Sequence, residues 1–364
     1  MINVVQVVED LKLGGLERVI ENIAMSLDSD KFKTYVLCLS RGGVIAERLI
    51  TNGKDVEILG INNYHNPLNI TKVVTWLKQK NIDIVHTHGY PAGVLGRFAA
   101  IFAGIPCIFH HVHSTYLDLN KKHHAIENFL SRSSSKIICC SEAVRKFVQK
   151  KENISEDKLT VIYNGISEPV NIEINEISEL KNTLGFRENH IIVGCVASLN
   201  QHKGHRYLLE AFREIDNAGL LIVGDGPMAE ELKRYSIELG ISERTVFTGH
   251  KMDVTPYIRL MDIVVLPSSE REGLGISIIE AMALSKPVIV TAIGGLPEVV
   301  ADGETGIVVE AKNSKALAVA INKFSTAPDL RERMGAKGRE RYGKMFSLND
   351  MLNRMEDLYE QCNR

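Results

Sequence analysis

Leu266–Glu280 reads LPSSEREGLGISIIE, and the stretch leading into it, Asp262–Pro267, reads DIVVLP. Four consecutive apolar residues without alternation suit a strand buried on both faces of a parallel sheet. A polar loop follows, then Gly273 and Gly275, then a helical pattern from about Ile276. Strand, glycine turn and helix in that order make one βα unit. The same unit recurs along most of the chain in both directions.

Toward the N-terminus, strand candidates are Asn3–Val8, Thr34–Leu39, Val56–Leu59, Ile82–His86, Cys107–Phe109, Lys136–Cys140 and Thr160–Tyr163. Amphipathic stretches such as Leu16–Leu27 and Ile70–Gln79 lie between them. The alternation lapses in the polar, proline-bearing stretch Glu168–Asn189, which reads as a linker followed by a short helix. It resumes through Ile191–Ala197, Gly219–Val223, Thr245–Thr248, Asp262–Leu266, Pro287–Val290 and Gly306–Val309. Leu330–Cys362 is helical and charged. The order predicts an α/β protein of two doubly wound, Rossmann-like domains. The expected division is residues 1–168, a linker over 169–189, a second domain over 190–341, and a C-terminal helix over 342–364 that packs back on the first domain.

A chain of 364 residues fits two domains of roughly 150 residues each. Hydrophobic residues make up 45% and charged residues 24%, which argues against extensive disorder. The net charge of −2 excludes a strongly basic nucleic-acid protein. The first 167 residues carry 20 Lys/Arg and 16 Asp/Glu. That small basic excess permits a face that meets an anionic acceptor or lipid surface, or simply reflects scattered solvated lysines. None of the six cysteines forms a C-x-x-C pair, and most sit in apolar runs, so reduced, buried thiols are expected. MINVVQVVED has no basic leader and reads as a first strand, and the longest apolar run, Phe98–His110, is too short to span a bilayer. A cytoplasmic protein is expected.

Ligands of open α/β sheets bind beyond the carboxyl ends of the strands, so the strand-end loops should carry the chemistry. Gly273 and Gly275, just ahead of a helix, let backbone N–H groups approach a phosphate. Glu272 stands in the loop and Glu280 eight residues on, within the helix. Two carboxylates beside a phosphate repel it unless they accept hydrogen bonds from neutral hydroxyls. The combination points to a sugar-bearing nucleotide, or else to a helix capped by acids with no ligand. Further glycine turns occur in LKLGGLERV (11–19), LIVGDGP (221–227) and IGGLPEVV (293–300). None is G-x-G-x-x-G or a P-loop.

The succession GGLERV, HTHG, NGI, KG, GDGP, EREGLGISIIEAMA and GGLPEVVADGETGIVV resembles the retaining, nucleotide-sugar-dependent glycosyltransferases of family 4, which have the GT-B fold. The resemblance covers nearly the whole chain and includes the E-x7-E element, Glu272 and Glu280. It implies that Lys203, in NQHKGH, neutralises the donor diphosphate, and that Gly273, Leu274, Gly275 and Ile276 contact the donor. Glu272 would bind the sugar hydroxyls and Glu280 the ribose. Gly14 and Gly15 would lie under the diphosphate or acceptor, and His113, in HHVHS, would be the active-site histidine, with His110 and His111 as neighbouring candidates. Gly224 would contribute to the donor site, while His86, His88 and Asn164 would line the cleft between the domains. His86 as an enclosed near-core ring and Asn164 as an interdomain turn remain open alternatives.

The resemblance further implies a nucleotide-diphosphate sugar as donor, with UDP-sugars expected, no required cofactor and no metal. The acceptor would be a saccharide or lipid-linked saccharide, with no nucleic acid and with peripheral association at the inner membrane face. Where family members commonly carry arginine ahead of the lysine, this chain has Ser198, a neutral donor in place of a bidentate phosphate ligand. His202, His205 and Arg206 are the nearby candidates for a compensating charge. The rival readings are a GT-B nucleotide-sugar epimerase and a weakly active nucleotide-sugar-binding protein.

Overall fold

The unalternating Val, Ile and Leu runs become thirteen strands in two all-parallel sheets, described by a computed structural model over residues 1–12, 14–64, 66–115, 119–170 and 174–363. The chain divides into one unit of Met1–Ser167 with Leu348–Arg364 and a second of Glu168–Ser347.

In the first unit the strands are β1 (Ile2–Val8), β2 (Phe32–Cys38), β3 (Asp55–Ile58), β4 (Ile84–His88), β5 (Cys107–Val112), β6 (Lys136–Cys139) and β7 (Leu159–Val161). Between them run α1 (Gly15–Ser26), α2 (Val44–Thr51), α3 (Leu68–Gln79), α4 (Tyr90–Ala103), α5 (Lys121–Ser131) and α6 (Glu142–Glu152). The sheet order is β3-β2-β1-β4-β5-β6-β7. Its direction of winding reverses between β1 and β4, and such a reversal opens a crevice at the carboxyl ends of the two strands.

The second unit begins with α7 (Ile174–Thr183), the short helix expected in the linker stretch. It continues as β8 (Ile191–Val196), α8 (His205–Phe212), β9 (Ala218–Val223), α9 (Ala229–Glu238), β10 (Thr245–Phe247), α10 (Thr255–Leu260), β11 (Ile263–Leu266), α11 (Ile276–Ala283), β12 (Val288–Thr291), α12 (Leu296–Val299), β13 (Gly306–Val309), α13 (Ser314–Ser325) and α14 (Pro328–Met345). The sheet order β10-β9-β8-β11-β12-β13 reverses between β8 and β11. Val193, Leu220, Ile222, Ile263, Val265 and Ile289 from its strands, all fully buried, pack with Leu208, Phe212, Leu317 and Phe324 from α8 and α13.

The charged C-terminal stretch is two helices, not one. α14 stays with the second unit, and the chain passes to the first at Ser347–Leu348, later than the boundary expected at 342. Leu348 N–H donates to the Ile166 carbonyl (2.9 Å), which stitches the start of α15 (Leu348–Cys362) to the first unit. Met351, Met355 and Tyr359 lie on one face of α15 and are fully buried. Glu356 accepts from Asp28 N–H, and Lys31 pairs with Glu360 at 2.9 Å.

The expectation of reduced thiols is corrected here. Cys107, at the start of β5, is bonded to Cys362, in the last turn of α15. The remaining four cysteines form no disulfide and are buried. The two partners stand 255 residues apart, so no local spacing announces the pair. Among the described residues, no helix is long and apolar enough to cross a membrane.

Candidate functional site

The second unit gathers its chemistry at the reversal between β8 and β11. Lys203 follows β8 in a short 3-10 turn, Gln201–Lys203, and Glu272 stands in the loop after β11. The Lys203 ammonium and the Glu272 carboxylate meet at 2.6 Å, both largely withdrawn from solvent. Ser268, fully buried, donates a second hydrogen bond to the same Glu272 oxygen at 2.8 Å. Thr291, at the end of β12, donates in turn to the Ser268 carbonyl at 2.6 Å. The carboxylate is therefore held by three successive strand ends.

Two glycines make this possible. Gly294 sits at φ +56, and a Cβ there would run into the Glu272 carbonyl. Gly204 sits at φ +70 with no room for a Cβ against the Pro267 carbonyl. Both turns thus need a residue that tolerates left-handed backbone and carries no side chain. Ser269 N–H donating to the His202 carbonyl (2.8 Å) ties the same two loops together.

The remaining residues expected at this site cluster around it. Leu274 is buried, Gly275 caps α11 in the left-handed region, and Ile276 opens the helix. The first N–H groups of a helix lack intrahelical partners and carry partial positive charge. Glu280 is half-buried just over one turn into α11, nearer the helix start than a spacing of eight residues from Glu272 suggests. Gly224 lies at the end of β9, its Cβ position filled by the Ala197 carbonyl. Gly273 precedes Leu274 in the same loop.

Ser198 is exposed and accepts from the Asn200 amide at 3.0 Å. Two candidates for the missing positive charge do not supply it. His205 is enclosed, and burial pushes its ring down to about 3, so it is neutral. Arg206 stacks on Tyr235 at 4.0 Å and reaches Glu210 and Glu231 at 3.6 and 3.7 Å, on the α9 side. The His202 ring is also held below its usual range, by burial and then by Lys203. Lys203 is the cation paired with Glu272.

In the first unit, Gly14 caps α1 and Gly15 is its first, exposed residue. Glu17 folds back toward Gly14, and burial raises its carboxyl to about 7. Asn164 is buried after β7, its Oδ1 without a hydrogen-bond partner among the described residues. His86 and His88 do not form an open cleft wall. β4 extends to His88, past the expected end at His86, and both rings are enclosed. β5 likewise runs on to Val112, so His110 and His111 are strand residues with enclosed side chains.

Strand alternation separates these histidines. His110 bonds Thr87 at 2.9 Å and packs on Gly93. On the other face, the register Gln6–His86, His86–Phe109 and His88–His111 aligns Gln6, His86, His88 and His111. His113, just past the strand, bonds His88 at 3.0 Å and is partly exposed. Ring nitrogens of His86, His88 and His111 lie within 4.8 Å of one another, a grouping that the expectation of no metal did not weigh. The His86 and His111 rings are stacked with an interplanar angle of 4°, so their lone pairs lie in nearly parallel planes. Both His88 nitrogens are already engaged, by His113 and by Gln6. His88 and His86 Nδ1 belong to a hydrogen-bond network, while His86 Nε2 and both His111 nitrogens are buried without a hydrogen-bond partner among the described residues.

Sequence reasoning missed Gln6, Ser268, Thr291 and Tyr359. A polar residue inside the apolar run NVVQVV was the available signal for Gln6.

Comparison with known proteins places the chain in context. Residues 13–168 match Glycosyltransferase Family 4, and residues 176–341 match Glycosyl transferases group 1. A putative glycosyltransferase of Bacillus subtilis, EpsD, is 30% identical over 295 residues, 76% of each chain. A UDP-Gal:α-D-GlcNAc-diphosphoundecaprenol α-1,3-galactosyltransferase of Escherichia coli is 28% identical over 297 residues, 78% of this chain and 76% of that protein. The crystal structure of Anabaena HepE in complex with UDP and glucose superposes with a TM-score of 0.90 at 22% identity, covering 99% of this chain and 100% of the other. The fold is the GT-B fold of that structure.

Proposed function

The chain belongs to the family 4, group 1 glycosyltransferases, and from that premise we propose that it moves a sugar, with retention, from a UDP-sugar to a hydroxyl of a saccharide acceptor carried on a lipid diphosphate. The observation that carries this reading is the Lys203–Glu272 pair at the reversal of the second sheet. The E. coli relative supports the donor and acceptor classes, since its name states a UDP-sugar and an undecaprenyl-diphosphate saccharide.

In this reading Lys203 exchanges its carboxylate partner for the donor diphosphate, and the N–H groups at Gly275 and Ile276 join it. Glu272, still held by Ser268, turns its freed lone pairs to the sugar hydroxyls, and Glu280 binds the ribose. The bond between the sugar's C1 and the diphosphate oxygen breaks, and charge builds on that oxygen. Lys203 and the helix start stabilise the charge electrostatically. The acceptor oxygen bonds to C1 on the same face, and its proton passes to the departing diphosphate, so no separate base is needed. His113 binds a hydroxyl of the transferred sugar. The protein works at the inner face of the membrane, associated with it peripherally.

The test is a thermal-shift screen with UDP-, GDP- and ADP-sugars, followed by incubation of the best ligand with and without a lipid-linked saccharide. The expected result is stabilisation by a UDP-sugar and release of UDP that depends on acceptor. Stoichiometric conversion of the nucleotide sugar to its epimer without free UDP, or no nucleotide binding at all, would overturn the reading.

A further inference from the structure

Within the first unit a single hydrogen-bonded chain joins β1, β4, β5 and α15. Tyr359 hydroxyl and His86 Nδ1 are 2.6 Å apart. Gln6 Nε2 lies 3.2 Å from the same hydroxyl, and Gln6 Oε1 lies 2.8 Å from His88 Nε2. His88 Nδ1 lies 3.0 Å from His113 Nε2. Gln6, His86, His88 and Tyr359 are at most 1% exposed, so no water competes along their length. His113, the last member, is partly exposed as a residue, with its Nδ1 shielded from solvent.

Such a chain has two possible directions, because each imidazole donates from one nitrogen and accepts at the other. The Tyr359–His86 link selects between them. A phenol O–H is a far stronger proton donor than an imidazole N–H, and an imidazole nitrogen is a better acceptor than a phenol oxygen. Tyr359 therefore donates to His86 Nδ1, which puts the His86 proton on Nε2, a buried nitrogen without a partner among the described residues; the opposite direction leaves the same kind of orphan N–H at His113 Nδ1, so the stronger O–H···N link decides. Its oxygen then accepts from the Gln6 amide nitrogen, which fixes the orientation of that amide. Gln6 Oε1 accepts from His88 Nε2–H, which leaves His88 Nδ1 bare. His113 must then donate from Nε2, and its Nδ1 carries the free lone pair. Burial keeps both His86 and His113 neutral, each ring pushed down to about 3, so the chain holds no extra proton.

We propose that Tyr359, on the C-terminal helix, is a positioning residue that acts through Gln6 and His88 to hold His113 as its Nε2–H tautomer, with Nδ1 presented as an acceptor for a hydroxyl of the transferred sugar. The assignment of the sugar to His113 rests on the function proposed above; the tautomer assignment does not. His113 Nδ1 is shielded from solvent and has no hydrogen-bond partner among the described residues, so its lone pair is unspent in the ligand-free protein. In Tyr359→Phe the Gln6 amide loses its acceptor. The amide turns over to donate to His88, since an unpaired N–H is less tolerated in an interior than an unpaired carbonyl. The direction of the chain reverses, and His113 becomes a donor at Nδ1.

The test is nitrogen-15 NMR of the histidine rings in the ligand-free full-length protein. The wild type is expected to show a bare, pyridine-type Nδ1 and a protonated Nε2 at His113, and Tyr359→Phe is expected to invert them. Gln6→Met, which cuts the chain without touching Tyr359, is expected to give both tautomers. With donor and acceptor, Tyr359→Phe is expected to lose about tenfold in kcat/KM, the cost of one hydrogen bond. A wild-type His113 protonated at Nδ1, or ring signals unchanged in Tyr359→Phe, would overturn the proposal. Correct tautomers with no transferase activity would spare it and count against the proposed function instead.

Discussion

Lys203 Nζ lies 2.6 Å from Glu272 Oε2 although the two residues stand 69 positions apart on opposite sides of the sheet reversal. Each is the other's charge partner, and both side chains are mostly shielded. Removal of either leaves a poorly solvated charge behind. Lys203→Met is expected to cost about 2 kcal/mol of stability. Lys203→Met with Glu272→Gln is expected to cost less than the sum of the singles, with a coupling of about 1–3 kcal/mol. Urea unfolding of the four proteins measures it. On activity, Lys203→Met alone is expected to lower kcat/KM about a hundredfold or more.

The Cys107–Cys362 bond closes a loop of 255 residues. In the chain-entropy view, a link of that span removes about 5 kcal/mol of freedom from the unfolded chain. Reduction is expected to lower the melting temperature of the wild type and to leave Cys362→Ser unmoved. Thermal melts with and without dithiothreitol, with thiol titration alongside, read the effect. Equal melting temperatures in wild type under both conditions would count against the bond in solution.

Glu152, at the end of α6, is buried, and desolvation followed by repulsion from Glu127 raises its carboxyl from 4.5 to about 8. The folded protein thus holds a proton that the unfolded chain loses above 4.5. Stability from this site is intact below pH 4.5 and is lost as pH rises through 8, at about 1.4 kcal/mol per pH unit. Glu152→Gln is expected to be near neutral at pH 4.5 and stabilising at pH 8.5. Chemical denaturation of both proteins at the two pH values checks the sign.

Most of the architecture was legible because parallel strands buried on both faces leave runs that polar loops interrupt. The βα order, the glycine turns and the neighbourhood of Glu272 came from local pattern. Two strand ends were read short, at His86 and Phe109, because histidines resemble loop residues until partners are found for them. Their partners, Gln6 and Tyr359, lie in the first strand and the last helix, and no local periodicity joins positions 353 apart. The same distance in sequence hid the disulfide. The break between α14 and α15 was unreadable for another reason. Both helices are charged on their outer faces, and what separates them is the change of unit at Ser347.

α15 also sets an order of events during synthesis. The first unit's sheet is translated early, yet the tyrosine and cysteine that close over it emerge only after the whole of Glu168–Ser347 has been made. At about 5–20 residues per second, that interval is on the order of ten seconds or more. Throughout it, the half-finished lobe leaving the ribosome exposes an uncovered strip of Gln6, Phe109 and stacked imidazoles. A nascent chain in that condition is a natural client for a chaperone until its own tail arrives to complete it.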